Sequence, residues 1–304
     1  MMEILRVLSL AEYKQLHSII FLFNGAEEPG LLAAHGFTTQ HEWAIDAKAL
    51  INLESTGSGG RELLFRSGPK HDWLIKMYGA SVPRPFGHAV ADELFETGII
   101  PSATDFQMFV KYGNIPGLDF AYVQDGWRYH TRKDSIEYIS LESVQYTGNN
   151  ILALTKKIVN SKELANPPEG NYPVYFDYLG LFFISYSQTI GIVLNIIFSI
   201  LAVLIPFVIQ TKFKLENVGF VLYETALSFI TMLLSVIVSG AACAGLAMLM
   251  NAVDRTMTWH NNIILSIGIY GSLAVITQIL VYHLMQMLKD LCLRTKRYKE
   301  ASMR

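Results

Sequence analysis

The sequence contains little charge and almost no cysteine. Only 16% of its 304 residues are charged and 51% are hydrophobic, whereas ordinary soluble domains carry roughly 25% charged residues. The net charge of −2 offers no cationic surface for a phosphate backbone, which argues against a nucleic-acid partner. Both cysteines, Cys243 and Cys292, lie late in the chain, so no disulfide framework stabilises the first half. The shortage of charge argues against a protein that faces water along its whole length.

The charges are distributed unevenly along the chain. Residues 1–170 contain 15 Lys+Arg and 20 Asp+Glu, whereas residues 171–304 contain 9 and 6. An acidic, water-compatible half is thus followed by an apolar, mildly basic half. This division predicts a soluble domain joined to a membrane region.

The second half contains three long apolar runs, at about 188–209, 220–250 and 263–288. A helix needs about 20 apolar residues to cross the hydrocarbon core of a bilayer, so each run predicts a transmembrane helix with lipid as its partner. Glu224 lies near the start of the second run, and we expect it at the membrane interface. The sequence shows no paired charges within the spans, so it gives a transporter role little support.

Basic residues predict the orientation of these spans. Lys212 and Lys214 follow the first span, and a basic tail follows the third. Since cytoplasmic loops are enriched in Lys and Arg, we expect the tail to be cytoplasmic and residues 1–187 to be lumenal or extracellular. The segment Met1–Phe23 carries four charges and is neither a signal peptide nor a span. We therefore expect either unusual insertion or a natural start further upstream.

Strand-like and helix-like segments alternate in the first half. Four short apolar runs predict strands at Ser18–Phe23, Ala49–Leu53, Glu62–Arg66 and Leu118–Val123. Longer amphipathic stretches between and after them predict helices, including Asp72–Ala80 and Ser140–Val159. The alternation predicts an α/β domain with a largely parallel sheet and helices on both of its faces.

The domain boundaries follow from these elements. We predict an α/β domain at residues 1–164, a proline-containing linker and membrane-proximal segment at 165–187, and the membrane region with its basic tail at 188–304.

Three acids and one histidine lie at predicted strand ends. Glu27 and Glu28 follow one strand, Glu54 ends the next, and His130 lies in a loop after a later one. Carboxylate and imidazole groups that converge from strand ends suit a zinc site, and a further carboxylate can act as a base. Each group also has a structural explanation, since acids commonly stabilise a helix N-terminus and a lone histidine is often structural.

Several ordered motifs resemble one enzyme family. They are Phe23–Glu28 (FNGAEE), Ile51–Glu54 (INLE), Gly98–Phe106 (GIIPSATDF), Gly113–Asp119 (GNIPGLD) and Tyr129–Asp134 (YHTRKD). Together they resemble the M28 family of zinc peptidases, and in phrasing its membrane-bound branch, the endoplasmic reticulum metallopeptidase 1 group.

The resemblance implies roles for the four site residues. Glu27 matches the general base that takes a proton from the zinc-bridging water. Glu28 and His130 match the ligands of one Zn²⁺, and Glu54 matches a ligand of the second. The family fold is a sheet flanked by helices, which agrees with the pattern of the first half.

Two weaker assignments also follow from the resemblance. Asp134 matches a residue that orients the His130 loop, and Asp105 matches an acid in a loop on the substrate side.

The chain also departs from the family pattern. The family places a His-x-Asp motif and a zinc-bridging Asp upstream of the glutamate pair. Only 26 residues precede Glu27, and they contain no Asp and one histidine, His17. We therefore expect an N-terminally truncated domain, incomplete at its first strands, with doubtful occupancy of both zinc positions and impaired catalysis.

The implied function is a membrane-anchored, zinc-dependent exopeptidase of aminopeptidase type, with peptide substrates, in the lumen of the endoplasmic reticulum. The alternative is a non-catalytic pseudopeptidase that serves as a membrane scaffold. Glutaminyl cyclisation, performed by single-zinc relatives, is disfavoured because the motifs resemble the peptidase branch. Neither the peptide nor the oligomeric state follows from the sequence.

Overall fold

A computed structural model describes residues 1–68, 70–213 and 217–302, with side chains for all of these except 213, 293 and 295–302. Lys214 and Arg304, which contribute to the predicted orientation, lie outside the described residues, as do the side chains of Lys296, Arg297 and Lys299. The chain divides into two compact units, Met1–Ile197 and Phe198–Arg304.

The first unit alternates helices and strands. In chain order they are α1 (Met2–Ser9), α2 (Leu32–Gln40), β1 (Leu50–Ser55), β2 (Leu63–Ser67), α3 (Asp72–Ser81), α4 (Val90–Glu96), α5 (Asp105–Gly113), β3 (Gly117–Tyr122), α6 (Leu141–Val159), β4 (Pro173–Tyr178) and β5 (Phe182–Ser187). Short 3₁₀ turns lie at Glu42–Asp46, Gly126–Arg128 and Ile136–Tyr138. The α/β fold predicted from the sequence is confirmed.

The central sheet has three strands in the order β1-β3-β2. β1 runs parallel to β3, with Asn52 opposite Asp119, while β2 runs antiparallel to β3. The expectation of a largely parallel sheet is thus met by one strand pair and not by the other. Helices α3, α4 and α5 pack against strands of this sheet.

The strand predicted at Ser18–Phe23 is wrong, since the structure gives this segment no strand assignment. Phe21 and Leu22 still pack against two different apolar clusters. Apolar residues favour burial, but a strand also needs a neighbour for its backbone N–H and C=O groups. Here the side chains are partly buried without such a ladder.

The main core lies between the sheet and helices α3 and α6. Tyr78, Leu118 and Leu154 are fully buried there. One carboxylate is buried at its edge, where Glu62 accepts hydrogen bonds from Asn150 Nδ2 (2.5 Å) and Thr147 Oγ1 (2.9 Å). Burial nevertheless raises the pKa of the Glu62 carboxyl, and its hydrogen bonds lower it in part. The apolar residues of α6 recur with the period of the helix, and the face that they form packs into this core.

We expect Leu154→Ala to destabilise this unit by about 3 kcal/mol, because it leaves a cavity at a fully buried position. Tryptophan fluorescence during unfolding of the full chain in detergent micelles measures the change, since three of the four tryptophans lie before residue 170. Val144→Ala is the control, because Val144 lies on the same helix and is 53% exposed. Equal destabilisation by the two substitutions would contradict the assigned packing of α6.

The hairpin β4–β5 was not anticipated from the sequence. It occupies Pro173–Ser187, within the segment predicted as linker and membrane-proximal, and its two strands pair antiparallel. Gly180 adopts φ +70° in its turn, a conformation that glycine accommodates without strain. Tyr175 and Phe183 pack against Tyr78 of α3 and its neighbours. The hairpin is therefore part of the first unit's core.

Among the residues that the structure describes, three helices are long and apolar enough to cross a membrane. They span Gln188–Lys212, Val218–Ala252 and Ile263–Cys292, close to the predicted bounds. The first comprises α7 (Gln188–Val208) and a π-helical turn, Ile209–Phe213; the second is α8 (Val218–Ala252). The third comprises α9 (Ile263–Ser266), a π-helical turn at Ile267–Gly271 and the first part of α10 (Ser272–Ser302).

Polar contacts join α8 and α10. Ser239 Oγ lies 2.9 Å from Thr277 Oγ1, and Lys289 Nζ lies 2.6 Å from Glu224 Oε2. The sequence did not reveal this ion pair, because the two partners are 65 residues apart and come together only when the helices pack. Glu224 lies near the start of α8 and Lys289 lies in the last part of its span, so the pair belongs to one end of the helix pair.

We expect Lys289→Met to weaken the association of α8 and α10 by about 3 kcal/mol, because it leaves a partly buried glutamate unpaired. Adding Glu224→Gln to Lys289→Met removes that unpaired charge and should recover most of the loss. Unfolding of the full chain by sodium dodecyl sulfate, followed by far-ultraviolet circular dichroism, gives the double-mutant cycle. Strictly additive losses would show that the two side chains do not interact.

Candidate active site

Two site residues predicted from distant parts of the sequence meet in the structure. Glu28 Oε1 lies 2.6 Å from Nε2 of His130, and both side chains are more than half exposed. Glu28 lies in the turn that precedes α2, where the backbone N–H groups of Gly30 and Leu31 bond to the Glu27 carbonyl. His130 has φ +59°, so its ring is presented from an unusual loop conformation. The contact places a carboxylate and an imidazole at one point on the surface.

Glu54 lies at the carboxyl end of β1. Its Oε1 accepts a hydrogen bond from Asn52 Nδ2 at 2.9 Å. Burial raises the pKa of the Glu54 carboxyl, the Asn52 bond lowers it in part, and the charges of Asp105 and Glu27 raise it further. The structure therefore brings Glu54 into electrostatic contact with the loop that carries Glu27.

Asp105 is the first residue of α5 and is buried. Its Oδ2 accepts a hydrogen bond from Asn24 Nδ2 at 2.5 Å, whereas its Oδ1 is buried without a hydrogen-bond partner in the described part of the chain. Asn24 precedes the glutamate pair, so this bond ties the Glu27 loop to α5. Asp105 thus lies in α5 beside the Glu27 loop, and its role on the substrate side stays a prediction.

Glu27 is one of the carboxylates at the site whose pKa is raised. Burial raises its pKa, Glu28 and Asp105 raise it further by like-charge repulsion, and His130 opposes them. A carboxyl group with a raised pKa accepts a proton more readily near neutral pH than an ordinary glutamate does. This is the chemistry that a general base requires.

Tyr129 begins the Tyr129–Asp134 motif, but the sequence assigned it no role. Burial raises the pKa of its phenol, and Glu28, Glu27, Glu54 and Asp134 add to the shift in that order. The phenol therefore stays protonated and can donate a hydrogen bond among these acids. Its position beside His130 in the sequence was the only signal that could have identified it.

Asp134 is exposed, and its backbone N–H donates to the carbonyl of Thr131 at 3.1 Å. No side-chain hydrogen bond or ion pair of Asp134 occurs among the described residues. Its role in orienting the His130 loop stays a prediction.

A buried acid lies beneath the site. Asp119, in the middle of β3, accepts hydrogen bonds from Asn52 Nδ2 (2.9 Å) and Thr104 Oγ1 (2.6 Å). Burial raises its pKa to about 7, although these two bonds lower it. The sequence held a signal for it, because an acid within an apolar strand is costly to bury and needs partners.

Comparison with known proteins identifies the family. The model of Peptidase family M28 matches residues 1–155. The chain belongs to this family. It is 40% identical to endoplasmic reticulum metallopeptidase 1 of Homo sapiens over 93% of its length, and 45% identical to putative endoplasmic reticulum metallopeptidase 1-A of Caenorhabditis elegans over 72%.

More distant membrane relatives also match this M28 chain. It is 39% identical to a vacuolar membrane protease of Candida glabrata over 60% of its length. The three alignments cover 32%, 25% and 19% of those relatives, so the chain spans about a third of their length or less. No solved structure matches the chain.

Relatives of this M28 chain are named metallopeptidases, which raises the question of whether the site residues fit a metal ion. The donors that meet, a carboxylate oxygen of Glu28 and an imidazole nitrogen of His130, are of the kind that zinc prefers. In tetrahedral zinc sites two such donors lie about 3.3 Å apart, so a small outward movement from 2.6 Å would admit the ion. No group of three or more His, Cys, Asp or Glu side chains able to hold a metal occurs among the described residues. The two donor atoms are of the types that zinc binds, but they are fewer than the three protein ligands of a usual catalytic zinc site.

We expect Asp119→Asn to reduce the pH dependence of stability in this M28 domain. The folded pKa of about 7 exceeds the ordinary value of roughly 3.9. The folded state therefore retains a proton that the unfolded chain releases, and stability falls as pH rises from about 4 through 7. The isosteric amide removes this loss, which we expect to be about 4 kcal/mol.

Thermal unfolding of the full chain in micelles between pH 4 and pH 8 measures this effect. Asp46→Asn is the matched control, because Asp46 is exposed at the end of a 3₁₀ turn. A pH profile of Asp119→Asn that coincides with the parent profile would contradict the assignment.

Proposed function

We propose that the protein acts as a zinc-dependent exopeptidase of aminopeptidase type in the lumen of the endoplasmic reticulum. The observation that carries the proposal is the contact between Glu28 and His130 directly beside the raised-pKa carboxyl of Glu27. Membership of family M28 and the names of the relatives support it. A free peptide N-terminus is a cation, and the surrounding carboxylates suit it.

The proposed roles follow from the positions of the side chains. Glu28 and His130 would hold one metal ion, and Glu54, from the end of β1, would contribute to a second. Zinc bound there would polarise the scissile carbonyl and its attacking water. Glu27 would take a proton from the water and pass it to the leaving amine, for which its raised pKa is suited. Tyr129, protonated and adjacent, would donate a hydrogen bond to substrate.

We further propose that the 304-residue chain by itself binds zinc weakly and hydrolyses peptides slowly. A catalytic zinc usually has three protein ligands, whereas Glu28 and His130 are two and Glu54 lies in a separate part of the site. Loss of one ligand from such a set removes most of the affinity. The second candidate function is a non-catalytic membrane scaffold. The small number of zinc ligands favours this function as well.

The proposed topology places residues 1–187 in the lumen and the tail after the third span in the cytoplasm. The relatives' names support an endomembrane location, since they are endoplasmic reticulum and vacuolar membrane proteins. The basic residues of the first connecting loop and of the tail support the orientation. The boundaries at 164 and 187 remain predictions, and no oligomeric state is proposed.

We expect fewer than two zinc ions per chain and little aminopeptidase turnover from the purified full chain. Isothermal titration with ZnCl₂ measures the stoichiometry, and release of the first residue from an unblocked tripeptide measures turnover. Glu28→Gln and His130→Gln should each lower the zinc affinity about tenfold or more. Glu42→Gln, an exposed acid on a 3₁₀ turn, should leave it unchanged.

Three outcomes are distinguishable. Two tightly bound zinc ions with rapid turnover would overturn the proposed impairment while supporting the peptidase. Weak zinc binding that depends on Glu28 and His130 would support both parts of the proposal. Zinc binding that neither substitution changes, without turnover, would overturn the assignment of the site and favour the scaffold.

A further inference from the structure

A groove lies between α3 and the end of α6, and its lining residues are outside the peptidase motifs. Its volume is about 520 Å³, within the range of roughly 300–1,000 Å³ typical of small-molecule sites. Trp73 and Met77, both buried, form its apolar floor. The groove lies wholly within the first unit and contains none of the site residues described above.

Four lysines surround this groove: Lys76 from α3, and Lys156, Lys157 and Lys162 from α6 and the turn after it. Lys76 Nζ pairs with Asp72 Oδ2 at 2.7 Å. In the described part of the chain the other three have no carboxylate partner. Because Glu163 is the one acid among the groove residues and offsets a single lysine, two ammonium charges remain without a counter-charge.

The positive charge around the groove is opposite in sign to the net charge of residues 1–170. Residues 1–170 contain five more acids than bases, since 20 Asp+Glu oppose 15 Lys+Arg. The carbonyl end of α6 accounts for part of the cluster, because lysines in the last turn stabilise a helix C-terminus. It does not account for Lys162, which lies beyond that end, or for Lys76 on another helix. Like charges around one recess repel one another and are stabilised by an anion between them.

The geometry points to a binding site for a phosphomonoester in the groove between α3 and α6. A phosphomonoester carries about −1.5 to −2 charges at pH 7, which matches the two uncompensated ammonium groups. Lysine ammonium groups bind phosphate oxygens as point charges. The apolar floor of Trp73 and Met77 suits the organic part of such a ligand. Two sources offer this chemistry: a soluble phosphate ester and the headgroup of phosphatidic acid.

The test uses the full chain in phosphatidylcholine nanodiscs, with its melting temperature followed by tryptophan fluorescence. Glycerol 3-phosphate is the soluble probe, and nanodiscs that contain phosphatidic acid provide the lipid probe. We expect at least one of them to raise the melting temperature of the parent chain. In the triple variant Lys156→Gln/Lys157→Gln/Lys162→Gln the apparent affinity should fall at least about tenfold, because each charged hydrogen bond contributes roughly 1.5–3 kcal/mol.

The matched control is the triple variant Lys14→Gln/Lys48→Gln/Lys111→Gln. It removes the same number of charges from the same domain at positions outside the groove, and it should keep the parent affinity within about twofold. Without any probe, the groove variant should melt within a few degrees of the parent, because the repulsion that the substitutions relieve offsets the helix C-terminal stabilisation that they remove. This check separates loss of binding from loss of folding.

Each outcome decides the proposal. A shift with glycerol 3-phosphate that the groove variant loses supports a soluble ligand, and a shift confined to phosphatidic acid nanodiscs supports the lipid. An equal shift in both triple variants, or the same shift with sodium chloride at matched ionic strength, overturns it. Absence of any shift with either probe overturns it as well.

Discussion

The register between β1 and β3 is the constraint on which the candidate site depends. It sets Asn52 opposite Asp119, and the Asn52 amide donates to Glu54 and to Asp119 from one nitrogen. A slip of one residue would turn every side chain of β1 to the other face of the sheet. Glu54 would then leave the strand end where it meets Glu27 and Asp105. The parallel pairing of two short strands thus determines where the carboxylates converge.

Much of the fold was predictable from the sequence, because long amphipathic helices carry their own pattern. The helices Asp72–Ser81 and Leu141–Val159 and the three membrane helices were placed within a few residues of their observed bounds. The predicted strand at Ser18–Phe23 failed because apolar composition does not specify a pairing partner. The hairpin Pro173–Ser187 was missed because it directly follows a proline-containing segment that resembles a linker.

The candidate site was likewise only partly predictable from the sequence. Ordered motifs identified Glu27, Glu28, Glu54 and His130, and the structure brings Glu28 to His130 across 102 residues of sequence. Asp119 was missed because its strand was read only for apolar content. The pairing of Glu224 with Lys289 was missed for another reason: hydropathy along one helix does not reveal the neighbour against which that helix packs. Such pairwise contacts are properties of the folded chain.

The hydrogen bond between Glu28 and His130 also determines how the site meets a cation. The contact joins the loop that carries the imidazole to the turn before α2, so the two donor atoms already lie together in the folded chain. The entropy cost of ordering these two separate segments is therefore met when the domain folds and not when an ion binds, which is the benefit of a preorganised site.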